Sequence, residues 1–253
     1  MGREVAIPLQ PKRIISLVPS QTELLSYLGL EDTVVGVTKF CIHPGQLKAE
    51  KTIVGGTKNF RFDVIDELKP DLILGNKEEN YQEGIELLAE KHPVWMSDIF
   101  DLKDALSMIQ QVAAICNKEE EGLKVVETVE RDIEQLPDFK PLTALYLIWQ
   151  KPYMAAGRDT FIHEMMELAG FENVLVNDRY PELSEADIKS LNPNVILLSS
   201  EPYPFAEKHK EALMQLFPES RVELVDGEMF SWYGSRLLKL PAYLKELREI
   251  VKK

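Results

Sequence analysis

Two stretches of this chain have similar counterparts further along it, and the repetition constrains the fold more than any other feature of the sequence. Residues 23–31 match residues 164–172, placing Gly170 141 positions after Gly29. Residues 68–74 match residues 191–197, placing Pro193 123 positions after Pro70. In both copies of the second match a proline stops a short helix and starts a run of buried-strand residues. Two similar lobes are therefore expected. The two spacings differ by 18, so the first lobe carries about that many extra residues, and they fall within 39–62.

Within each lobe, continuous apolar runs alternate with amphipathic helical patterns, which specifies a mostly parallel sheet with helices on both faces. RIISLV, VVGVT, LILG and VWMSD read as strands of the first lobe. TALYLIW, VLV (174–176), VILLSS and VELVD read as strands of the second, with helices between them and a terminal helix near LPAYLKELREIV. Ser20 and Glu23 have the spacing of a capping box, and Gly29 supplies the stop. Between Asn117 and Pro141, apolar Leu123, Val126, Val129, Ile133 and Leu136 share one helical stripe. The expected organisation is an α/β fold of two Rossmann-like lobes, 1–117 and 142–253, joined by one long rigid helix over 118–141. Ligands of open α/β sheets sit outside the carboxyl ends of the strands, so a cleft between the lobes is the expected site.

A formal charge of -13 argues against a nucleic-acid partner, whose phosphates call for clustered Lys and Arg. No apolar run approaches the roughly 20 residues that span a bilayer. The two cysteines, Cys41 and Cys116, are too few for a disulfide framework, and Cys116 reads as a small core residue. The amino terminus lacks the basic and apolar regions of a secretory signal, so the chain is mature, truncated or cytoplasmic. Met1-Gly2 opens a myristoylation motif that Ala6 breaks.

Catalytic constellations are scarce. His43, His92, His163 and His209 are scattered, with no zinc helix, no nucleophile elbow, no phosphate loop around Gly55 and no dinucleotide fingerprint. His92, His163 and His209 read as surface or cap residues, and Trp95 as core. Strand-end loops are instead rich in aromatic and polar residues. In the first lobe these are Phe40, Cys41, His43, Asn76 and Lys77. Those read into the second lobe are Trp149, Gln150, Tyr153, Tyr203, Phe205, Phe230, Trp232 and Tyr233. Such residues suit a large, flat, partly apolar ligand gripped by burial and stacking. Trp149 and Trp232 are both expected on the second lobe's side of the cleft.

RIISLVPSQTELLSYLG, LKPDLIL, LIWQKPYMAAGRDTFIHEMMELAG and SWYGSR, in this order, resemble the ABC-transporter binding proteins whose two lobes are joined by a rigid helix. The likeness is greatest to the cobalamin-binding branch of that class, which also includes haem- and ferric-siderophore-binding proteins. The resemblance implies an extracytoplasmic monomer without enzymatic activity or required cofactor. It would bind a corrinoid or an iron chelate and deliver it to an ABC permease with its ATPase. It also implies an aromatic ligand contact at Trp232, and permease docking through Glu83 and Glu207, with Gln82, Glu79 and Glu201 as neighbouring competitors. His43 is a candidate axial ligand to the chelated metal, and Gly2-Arg3-Glu4-Val5 matches the lead-in of the class. The rival expectation is a cytoplasmic enzyme or metallocluster scaffold on the same fold, with Cys41 and His43 as metal ligands or reactive groups.

Overall fold

A computed structural model describes residues 4–252, so Gly2 and Arg3 of the lead-in lie outside the described residues. The chain forms two compact units. The first comprises the residues up to Ile99, Lys103–Glu130 and Trp232–Leu238; the second comprises Phe100–Leu102, Arg131–Ser231 and the residues from Lys239 onward.

The first unit is built on a five-stranded parallel sheet. Its strands are β1 (Ile14–Ser16), β2 (Val34–Val37), β3 (Thr52–Ile53), β6 (Leu72–Asn76) and β7 (Val94–Ser97), in the order β3-β2-β1-β6-β7. A two-stranded hairpin, β4 (Gly55–Gly56) with β5 (Asn59–Phe60), stands apart. Helices α1 (Pro19–Tyr27), α2 (Gly45–Glu50), α3 (Phe62–Leu68), α4 (Gln82–Ala89) and α5 (Leu102–Ile115) connect the strands or follow them. Every residue of β1 and β6 is buried, as expected where helices cover both faces of a parallel sheet. Ile15, Leu17, Val54, Ile65 and Ile73 belong to one packed cluster.

Helix α6 (Glu119–Glu134) begins in the first unit and ends in the second. The second unit's sheet contains β8 (Leu142–Trp149), β9 (Tyr153–Ala155), β10 (Phe171–Asn173), β11 (Glu182–Leu183), β12 (Val195–Ser199) and β13 (Arg221–Val225). Strand β8 pairs in parallel with β10 and β12, and β12 with β13, whereas β9 returns antiparallel to β8 and pairs with β11. Helices α7 (Phe161–Leu168), α8 (Glu185–Leu191), α9 (Glu207–Leu216), α10 (Gly227–Ser231) and α11 (Leu240–Lys252) complete it.

The sequence repeat is a repeat of backbone conformation. Helices α1 and α7 both run out at a glycine with φ +70°, Gly29 and Gly170. Helices α3 and α8 both end on a left-handed residue, Lys69 (φ 47°) and Asn192 (φ 43°), before proline launches β6 and β12. The extra residues of the first unit form α2, β3 and the β4–β5 hairpin.

Three local expectations are corrected. Helix α1 starts at Pro19 with Val18 at its N-cap, so Ser20 is already inside the helix and caps nothing. Proline suits a first helical position because the N–H it lacks would be unpaired there. Glu23, freed from capping, pairs with Arg236 instead. The strand expected at 174–176 is β10, three residues earlier, and Leu175 is turned inward with its N–H on Asn173 Oδ1 at 3.0 Å. The connecting helix is shorter than 118–141, and the residues it buries are Gly122, Val125, Val126 and Val129, leaving Leu123 48% exposed. A Cβ on Gly122 would lie 2.4 Å from Ala113 Cβ, so the bare glycine sets the face that α6 turns toward α5.

Candidate ligand-binding site

In the first unit the loop after β2 carries Phe40, Cys41 and His43. Cys41 is fully buried, with Thr22 Oγ1 3.0 Å and Thr38 Oγ1 3.2 Å from its sulfur. Burial pushes this thiol above its ordinary pKa despite those hydrogen bonds. Phe40 is exposed, with Lys39 Nζ 4.9 Å from its ring centre. Asn76 is buried and turns the chain after β6: its Oδ1 accepts the N–H groups of Glu78 (2.8 Å) and Glu79 (3.1 Å), and its Nδ2 donates to Ser97 Oγ. Lys77 pairs with Asp98 at 2.6 Å on the surface.

Trp232 and Tyr233 group with the first unit, not with the second as their position after β13 suggests. The Trp232 ring is only 6% exposed. His43 meets it edge-on, 5.6 Å between centroids at 69°, and the Arg236 guanidinium stands 4.6 Å from its centre. Arg236 in turn grips both carboxylate oxygens of Glu23, at 2.9 and 3.0 Å. Gly234 (φ +138°) makes the turn possible, since a Cβ there would come within 3.1 Å of the Ser20 carbonyl oxygen. The sequence reading missed Glu23 and Arg236. The available signal was a carboxylate beside Leu24 and Leu25 on a helix with a buried face, which calls for a cationic partner.

In the second unit Trp149 ends β8 and keeps 40% of its surface exposed. Tyr203, in the loop after β12, sets its ring against Trp149 at 5.4 Å and 69°. The Tyr203 hydroxyl lies 3.3 Å from Gln150 Oε1 and 3.2 Å from His209 Nε2. Phe205 packs on both Tyr203 and His209. His209 does act as a cap residue: Nδ1 takes the N–H of Ala206 at 2.9 Å. Tyr153, at the start of β9, is half-buried. Phe230 is fully buried between Tyr146 and Tyr243, which makes it core rather than a strand-end surface. Burial pushes the Tyr243 hydroxyl up to about 12.

In the second unit the exposed indole of Trp149, at the end of β8, is thus held edgewise by Tyr203, which itself packs against Phe205 and His209. The family model described as periplasmic binding protein matches residues 14–218. The chain belongs to that family. An uncharacterized ABC transporter substrate-binding lipoprotein of Bacillus subtilis is 24% identical to this periplasmic binding protein over 94% of the chain and 80% of the relative. A vitamin B12-binding protein of Pectobacterium carotovorum is 25% identical over 90% of the chain and 85% of the relative. The crystal structure of the periplasmic vitamin B12 binding protein BtuF of Vibrio cholerae superposes with a TM-score of 0.81 at 22% identity. That superposition covers 97% of this chain and all of the other, and it confirms the mixed α/β fold.

Elsewhere on this periplasmic binding protein, Glu83 and Glu207 are exposed in the first turns of α4 and α9. Acidic residues suit helix amino termini through the helix dipole. Among the described residues, no three His, Cys, Asp or Glu side chains are grouped to hold a metal ion. No helix among them is long and apolar enough to cross a membrane.

Proposed function

We propose that this periplasmic binding protein is the substrate-binding component of an ABC importer. It captures a corrinoid, outside the cytoplasm and as a monomer, and hands it to a membrane permease without making or breaking bonds. The observation that carries the reading is the exposed Trp149 indole held at the carboxyl end of β8, in a chain 25% identical to a vitamin B12-binding protein. A flat indole offers apolar area and a π face to a planar chelate. Phe40 offers a further exposed ring on the first unit, and Lys77 a surface cation.

His43 is the one histidine on a strand-end loop of the first unit, and it is assigned as the axial ligand to the chelated metal. Loss of the bound-state absorbance shift in His43→Ala would test that assignment. Glu83 and Glu207 are assigned to permease docking, which predicts that charge reversal at either weakens transport while leaving ligand affinity intact. An enzymatic role for Cys41 gains no support, because a buried thiol with a raised pKa is a poor nucleophile.

The deciding experiment is a binding screen of the purified protein against cyanocobalamin, cobinamide, haemin and a ferric siderophore, read by equilibrium dialysis. Saturable corrinoid binding is expected. Binding of haemin or the siderophore alone would replace the corrinoid with an iron chelate, and binding of none would end the proposal.

A further inference from the structure

The environment of His209 fixes the direction of a hydrogen-bond chain. Its Nδ1 accepts the Ala206 N–H at 2.9 Å, so the proton of the neutral ring resides on Nε2. Nε2–H then donates to the Tyr203 oxygen, 3.2 Å away, and the Tyr203 O–H is left to donate to Gln150 Oε1 at 3.3 Å. Gln150 directly follows Trp149, and the Tyr203 N–H reaches the Ile148 carbonyl at 3.3 Å. The first turn of α9 is thereby tied, through one tyrosine, to the end of β8. Phe205 closes the cluster, 4.8 Å from Tyr203 and 5.6 Å from His209. Burial and the adjacent Lys208 hold the His209 imidazole below its ordinary pKa, which keeps the ring neutral as the chain requires.

We infer that Tyr203 and His209 are positioning residues for the Trp149 indole, holding it edge-on and ready for ligand so that binding need not order it. The inference rests on the reading of Trp149 as a ligand contact. An indole that must be immobilised on binding weakens affinity by the entropy of that side chain, roughly three- to tenfold. Tyr203→Phe removes only the hydroxyl and keeps the ring contact. His209→Ala removes the other end of the same chain.

The test is equilibrium dialysis with cyanocobalamin, or haemin if only haemin binds, on wild type, Y203F, H209A, Y203F/H209A, W149A and W149A/Y203F, with the thermal midpoint of each. Y203F and H209A are expected to lose about the same three- to tenfold, and their combination no more than either alone. Y203F is expected to keep the wild-type midpoint and to add nothing in the W149A background. Wild-type affinity in Y203F beside a weakened W149A would overturn the positioning role. Equal losses from Y203F with and without Trp149 would also overturn it, by showing that Tyr203 touches the ligand itself. Wild-type affinity in W149A would instead remove the ligand contact on which the inference rests.

Discussion

Glu23 and Arg236 are 213 residues apart in sequence and meet in a two-pronged ion pair, Oε1 to Nη2 at 2.9 Å and Oε2 to Nε at 3.0 Å. The pair fastens α1 to the segment Trp232–Leu238, and through Arg236 it fixes the Trp232 ring. Both side chains are largely shielded from water, 7% exposed for Arg236 and 14% for Glu23.

Removing Glu23 takes the two-pronged carboxylate from a buried guanidinium, and truncating one side of a buried ion pair costs far more than the pair itself contributes. Glu23→Ala is therefore expected to destabilise the protein by about 3 kcal/mol, measured by urea denaturation. Glu23→Leu combined with Arg236→Met is expected to recover most of that loss. A single variant within about 0.5 kcal/mol of wild type would show that water screens the pair.

Gly122→Ala sets two effects against each other. In a helix interior alanine is favoured over glycine by about 1 kcal/mol. Its Cβ, however, would stand 2.4 Å from Ala113 Cβ, so α5 and α6 must part. Overpacking of this kind costs about 1 to 3 kcal/mol, and a net loss of stability is expected. The combination with Ala113→Gly should relieve it. Increased stability of Gly122→Ala alone would mean that the helices separate freely.

What could be read from the sequence and what could not divide along physical lines. Strands β6 and β12 were legible because a doubly covered strand is a continuous apolar run, and Pro70 and Pro193 mark where each begins. Helix α7 was legible from the glycine that ends it, Gly170, the counterpart of Gly29. The home of Trp232 was not legible, because a partner 213 residues away decides it and no local pattern encodes that pairing. Neighbouring loop residues are also indistinguishable by pattern: Phe40 faces solvent while Cys41 is sealed between Thr22 and Thr38. The α6 stripe was read correctly at Val126 and Val129 but not at Leu123, for a third reason: Gly122 contributes to the buried face by having no side chain.

Glu223 gives a pH signature. Burial by itself would raise its pKa, but hydrogen bonds from Lys210 (2.8 Å) and Arg221 (2.6 Å) outweigh burial and leave the carboxyl below its ordinary value. A carboxyl with a lowered folded-state pKa contributes stability that is complete above the unfolded value of 4.5 and is lost as pH falls through the folded value. Unfolding free energy measured from about pH 7 down to about pH 3 should fall less steeply in Glu223→Gln than in wild type. Parallel curves would show that the three side chains do not hold together in solution.

Trp149 and Trp232 were alike as sequence and are opposites as structure, and the same substitution should separate them. Trp149 is 40% exposed and Trp232 6%. Replacing the exposed indole by alanine removes contact area for ligand but little core. Trp149→Ala is accordingly expected to weaken corrinoid binding by about 1 to 3 kcal/mol, roughly five- to 150-fold, with little change in unfolding free energy. Trp232 fills space under Arg236 and beside His43, so Trp232→Ala leaves a cavity and uncovers the guanidinium. Its expected loss is about 3 to 5 kcal/mol of stability, with reduced affinity only as far as the fold is perturbed. Dialysis against cyanocobalamin, paired with urea denaturation of each variant, reads both quantities on the same samples. A Trp149→Ala variant that binds normally would take Trp149 out of the site. A Trp232→Ala variant that keeps wild-type stability but loses affinity would return Trp232 to the ligand surface, as its position after β13 first suggested.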